Sequence, residues 1–274
     1  MRRALLPALL CAALLTAGCA TAEPGPGAAG TKAGTTKAAP SAVATTPADH
    51  THAVRAAVAE TGRTTARFSY RSEMGTASAP MVITTDGAHD FARDRGTLRT
   101  GLGTVARFEE VLTAKRIYLR GAAGDDTMPW SYVDRADVQA RHALRAPGND
   151  PEYTLRQAAM GERFARVGEE KLNGAPVTHY RGHLPHAALV LQMAEDRRAL
   201  VDKMRELLGG PVPASADVWV DGRKRVVKVR LSLNVGGGMP ISVNTLTLTE
   251  LGRPVKVTVP TAGEAVRSDG SLLG

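Results

Sequence analysis

The sequence predicts an α+β fold: a curved antiparallel sheet of about nine to eleven strands wrapped over helices. Three observations carry this. Period-2 alternation of apolar residues recurs along most of the chain from residue 50 onward. Helical spacing interrupts it in only a few places. A sheet that long curls, and its concave face needs a cover that only those helices can supply. The chain has 274 residues, 43% apolar and 23% charged, which excludes a disordered or collagen-like polymer.

An address precedes the fold. Arg2-Arg3 lead into the apolar run from Ala4 to Leu15, too short to span a bilayer. Leu15-Thr16-Ala17-Gly18-Cys19 follows. Small residues ending on a cysteine after an apolar leader have the form of a bacterial lipobox. On that reading 1–18 is a lipoprotein signal peptide, and Cys19 carries acyl chains of the palmitate kind. The expected location is the extracytoplasmic face of the cell membrane, with a lipid anchor. The chain has two cysteines, Cys11 and Cys19. The first leaves with the leader, so the folded part has no thiol and no disulfide and relies on its core.

Residues 19–49 read as the lipidated Cys and a flexible Ala/Thr/Gly/Pro tether, reaching roughly 30 Å as a random coil. Gly25 to Gly30 formally matches G-x-G-x-x-G. No strand precedes it and Pro24 and Pro26 interrupt it, so no dinucleotide site is expected. Net charge is +8. An exported protein does not routinely meet nucleic acid, so the charge is assigned to an anionic membrane face or to plain solvation.

The domain is placed at 50–262. Thr51 to Thr61 predicts a short helix ended by Gly62. Ala66, Phe68 and Tyr70 alternate with polar residues as a half-buried strand. Met81 to Arg93 reads as a hairpin turning at Asp86-Gly87. Strands follow at 105–113, 116–120 and 129–133. Asp150 suits an N-cap and Pro151 the first helical position, predicting a helix to about Arg166. A second helix is expected from His186 to Leu208, with Leu189, Met193, Leu200, Met204 and Leu208 at helical spacing. Asp217–Asp221 and Arg225–Asn234 predict a hairpin, with Val227, Val229, Leu231 and Leu233 on one face. Ile241–Thr249 and Val255–Val259 predict a last strand pair, with a bulge between Val243 and Leu246 where the apolar parity shifts. Residues 263–274 read as a tail.

One stretch is specific. Arg166-Val167-Gly168-Glu169-Glu170-Lys171-Leu172-Asn173-Gly174-Ala175-Pro176-Val177-Thr178-His179-Tyr180 resembles the V-G-x-E-x-x-x-G-x-x-T-x-H-Y strand pair of actinobacterial lipoproteins of the LppX/LprAFG type. The hairpin at Asp217-Val-Trp219-Val-Asp221 and the segment Gly252 to Pro260 fall in that family's order. The resemblance implies a half-barrel of the LolA/LolB kind, with an apolar cavity between sheet and helices. It implies a lipid or lipoglycan ligand, carried or presented in the cell envelope, with an envelope transporter as a possible partner.

Residues expected on the cavity wall are Phe68, Tyr70, Phe108, Leu112, Met160, Phe164, Leu189, Met193, Leu200, Met204, Val227, Val229 and Leu231. Methionines suit a wall that repacks around variable ligands, although each could equally fill a core. Gly236-Gly237-Gly238 is read as a lip at the entrance or a long hairpin loop.

No catalytic or metal motif is present. There is no C-x-x-C, H-E-x-x-H, G-x-S-x-G or S-x-x-K. His179 is read as a structural polar residue. The doublets Glu109-Glu110 and Glu169-Glu170 lie on strands, where neighbours point to opposite faces and cannot form an acid/base pair. The expectation is a non-enzymatic protein without cofactor. The alternative to a lipid carrier is an envelope interaction or chaperone protein with a filled core.

Overall fold

The computed structural model describes residues 48–76, 78–102, 106–123, 126–236, 241–261 and 263–268. The leader, Cys19, all but the end of the tether, Gly237, Gly238 and the last six residues lie outside that set. The described residues belong to one compact unit, Thr46–Gly274.

The chain opens with α1 (Thr51–Thr61), then runs through β1 (Thr65–Thr76), β2 (Ala79–Asp90), β3 (Arg95–Leu102), β4 (Ala106–Leu112), β5 (Arg116–Ala123), β6 (Asp126–Thr127) and β7 (Trp130–Asp134). After α2 (Pro151–Ala159) come β8 (Glu162–Leu172) and β9 (Ala175–His183), then α3 (His186–Leu189) and α4 (Glu195–Leu207). β10 (Ala214–Asp221), β11 (Val226–Leu233), β12 (Ile241–Thr249) and β13 (Ala265–Arg267) complete it. The thirteen strands of the described residues form one curved, unclosed sheet in the order β13-β7-β5-β4-β3-β2-β1-β12-β11-β10-β9-β8, with β6 paired to β5. Every pairing is antiparallel except β13 with β7. The excess over nine to eleven strands comes from the two-residue β6 and from β13, which lies in the stretch read as a tail.

Period 2 places the core. Ala66, Phe68 and Tyr70 on β1, Ala214, Ala216 and Val218 on β10, and Leu246 and Leu248 on β12 are buried in one apolar cluster. α1 and α2 pack against each other, and both touch β11. Asp150 caps α2, its carboxylate accepting from the Glu152 backbone N–H at 2.9 Å, and Pro151 takes the first helical position.

Several local expectations are corrected. Asp86-Gly87 is not a turn. β2 runs through it, because the Phe68 ring on β1 lies where a side chain at 87 would point; a Cβ there would come within 2.7 Å of the ring. The chain reverses instead at Phe91–Asp94. The helix after Asp150 ends at Ala159, and Phe164 lies on β8, its ring filling the space beside Gly161 and Gly182. The helix expected from 186 to 208 is two helices, split at 190–194, where the chain bridges to Ala140. β12 has no bulge: its register against β1 is continuous. The parity shift has a different cause. Asn244, fully buried, faces inward and accepts a hydrogen bond from Ser72 Oγ at 2.6 Å. The register shift falls on the hairpin of β10 and β11, where Val220 opposes Val226 and Trp219 opposes Lys228, leaving Val227 unpaired. That turns Val226 inward in phase with Val229 and Leu231 and leaves Val227 half-buried. Val255–Val259 is not a strand, because the edge of β12 is already taken by β1.

Candidate functional site

The inner face is less apolar than expected. Thr85 and Thr100 share a hydrogen bond at 2.8 Å beneath the sheet. Glu110 is buried on β4, accepting from Asn149 Nδ2 at 2.7 Å, while Glu109 faces outward to Arg99 and Arg120. Burial, the dominant cause, pushes the Glu110 carboxyl up to about 7.

The thirteen expected wall residues divide. Phe68, Tyr70, Leu112, Phe164, Leu189, Val229 and Leu231 are buried in the core cluster, and Phe108 and Met160 pack against it partly exposed. Val227 occupies the bulge. Met193, itself buried in the same cluster, Met204, which packs against it, and exposed Leu200 come together along a groove.

That groove, about 410 Å³, lies between α4, the 141–143 segment and the adjoining ends of β1, β11 and β12. Met193, Leu200, Val201 and Met204 form one wall, and Met74, Leu233 and Ile241 the other. Its size is within the range of small-molecule pockets. Helical spacing aligns Leu200, Val201 and Met204. The break before α4 is held by two backbone bonds, Ala140 N to Gln192 O at 2.8 Å and Ala194 N to Ala140 O at 3.0 Å. Ser242 Oγ donates to the Ala143 carbonyl at 3.1 Å and pins the opposite side. Leu200 is 56% exposed, an apolar side chain left open beside the groove.

The rim is basic. Arg141, His142 and Arg197 line it, with no carboxylate among the described lining residues, and Arg197 Nε stands 3.2 Å from Asp196 Oδ2 beside it. The His142 imidazole is held below its usual pKa, by burial first and then by Arg145, Arg197 and Arg141. A larger groove, about 770 Å³, crosses β1 to β4, but it is lined by Arg67, Asp86, Arg99, Glu109 and Lys256. Within it Arg99 pairs with Glu109, and Arg67 reaches Glu250 at its side. Its lining is less apolar than that of the groove beside α4.

Met74, Arg141, His142, Val201, Leu233 and Ile241 were not among the residues expected on the wall. Met74 was within reach: it continues the even-numbered phase of Phe68, Tyr70 and Ser72 along β1. Arg141 and His142 lie in an irregular segment and carry no periodic signal.

No family model matches the chain, and no curated protein matches it. Solved structures do. LprF from Mycobacterium bovis is 11% identical, with 77% of this chain and 97% of that one covered, at a TM-score of 0.45. Lipoprotein LppX of Mycobacterium tuberculosis is 16% identical, with coverage of 76% and 97% and a TM-score of 0.44. A LolA superfamily protein from Nitrosomonas europaea is 8% identical over 76% of this chain, at 0.26. The first two are of the type that residues 166–180 resemble. The likeness is one of fold alone.

Proposed function

We propose that this chain is a lipid-anchored envelope protein that takes the acyl part of an anionic, lipid-tailed ligand into the groove beneath α4 and carries or presents it. The observation that supports this is the pairing of an apolar trough (Met74, Met193, Leu200, Met204) with a rim of Arg141, His142 and Arg197. Acyl burial contributes about 25 cal/mol per Å², and the guanidinium groups hold an anionic headgroup by charge-assisted hydrogen bonds. Anchoring rests on Cys19 and the leader before it. Metabolic labelling with a palmitate analogue tests it: label on the wild type and none on Cys19→Ser is expected.

A lipid extract of the purified chain, analysed by mass spectrometry, tests the ligand. A co-purified acylated species at about one per chain supports the reading; its absence counts against it. A second reading, an interaction protein with a filled core, draws on Tyr70, Leu112, Phe164, Leu189 and Leu231 packing within one cluster. It expects a protein partner whose capture survives Leu200→Glu.

A further inference from the structure

Beneath the sheet, a polar cluster apart from the groove joins three segments distant in sequence: the end of β2, the turn after it and the first turn of α2. His89 points inward from β2 and is completely buried. Among the described residues neither of its ring nitrogens has a hydrogen-bond partner, although a buried polar group left unmatched is costly. Its ring packs on Phe91, with centroids 4.7 Å apart, and fits only because residue 96 is glycine; a Cβ there would lie 2.5 Å from Nδ1. The other nitrogen, Nε2, is 3.8 Å from Asp94 Oδ1. Glu152 completes the group: one ligand atom from each of His89, Asp94 and Glu152 lies within 4.8 Å of the others.

Arg135 accounts for part of this cluster but not for His89. Its guanidinium donates to Asp94 Oδ1 at 2.5 Å and to Asp150 Oδ2 at 2.7 Å, and stands 3.8 Å from Glu152. Three carboxylates thus face one cation. The bond to Asp150 can persist while Asp94 turns toward the imidazole. Asp94 and Glu152 are each more than a third exposed, so both side chains have room to move.

We infer that His89, Asp94 and Glu152 form a site for a divalent transition-metal ion, with zinc as the best-fitting class. Imidazole nitrogen and carboxylate oxygen are both zinc ligands, and three protein ligands leave the fourth tetrahedral position open. Tetrahedral ligands at about 2.1 Å from the ion stand roughly 3.4 Å apart, so the three atoms close by about an ångström on binding. The ion compensates the excess negative charge and gives the buried imidazole its missing partner. It would tie the β2–β3 turn to the start of α2.

The test is zinc titration of the chelator-treated full chain by calorimetry, with zinc-edge anomalous diffraction locating the ion. One zinc per chain bound next to His89 Nε2, a higher melting temperature with zinc, and at least tenfold weaker binding in both His89→Gln and Glu152→Gln are expected. Glu152→Gln alters a partly exposed side chain and separates a lost ligand from a lost fold. His186→Gln, at the separate Asp202 pair, leaves affinity unchanged. No stoichiometric binding, an ion located elsewhere, or binding undiminished in either His89→Gln or Glu152→Gln overturns the inference.

Discussion

His179 stacks on Trp219, ring centroids 4.3 Å apart and planes 12° from parallel. The two face each other across paired strands β9 and β10. Glu170 reaches both, with Oε1 2.7 Å from His179 Nδ1 and Oε2 accepting from Trp219 Nε1 at 2.8 Å. Asp217 closes the other side, 2.7 Å from His179 Nε2, and also accepts from Arg181 Nε. The ammonium of Lys228 covers the far face of the indole at 4.5 Å. The residues that carry the sequence resemblance therefore bind β8, β9 and β10 together on the outer face. Their work is structural.

Replacing His179 by Ala leaves the buried Asp217 carboxylate short of a partner. Stability should fall by about 2 kcal/mol, the scale of a hydrogen bond to a charged group. Denaturant melts check this, with ligand binding in the α4 groove unaffected.

How much of this was legible follows from which signals are local. The strand pair around 166–180 was legible through the family resemblance, whose Asn173 and Gly174 both take positive φ, 50° and 81°, as a tight hairpin turn requires, while its first residues, 162–166, carry no local signal that separates them from the helix before. Strands with clean alternation, such as β1, also read correctly. Gly87 misled because a glycine after Asp signals a turn, whereas here it makes room for Phe68 on the next strand, a contact that sequence order does not show. Asn244 misled because a buried polar residue breaks the apolar parity in the same way as a bulge. Expected wall residues scattered between core and groove because an inward-facing side chain is apolar in both cases; only the break before α4 decides which remain open.

Gly87→Val should destabilise the domain by about 1–3 kcal/mol, because the added atoms meet the Thr97 carbonyl at 2.4 Å and the Phe68 ring at 2.7 Å. Thermal unfolding measures it. A neutral outcome would mean that the Phe68 ring lies elsewhere.

Stability should depend on pH through Glu110. Its carboxyl titrates near 7 in the folded state and near 4.5 when unfolded. The raised value means that its contribution is fully present below about pH 4.5 and is lost as pH rises through 7. The difference corresponds to about 3 kcal/mol at most. Glu110→Gln should flatten that part of the stability curve, as followed by urea titrations at pH 5 and 8.

An anion seated on the basic rim changes the field at His142. Burial and three arginines now keep its pKa low; a bound headgroup offsets the arginines and raises it. NMR titration of the imidazole with and without an anionic lysophospholipid should show the upward shift, and an uncharged lipid of equal chain length should not produce it.

The measurement closest to the central claim is the affinity of a fluorescent fatty acid for the chain expressed from Ala20 onward, compared with its Leu200→Glu variant. Leu200 is more than half exposed, so the variant keeps its fold while a carboxylate enters the trough. Saturable binding of one probe per chain, weakened at least tenfold by the substitution, is the expected result. Equal affinity in the two proteins, or no saturable binding to either, would contradict a groove that holds acyl chains.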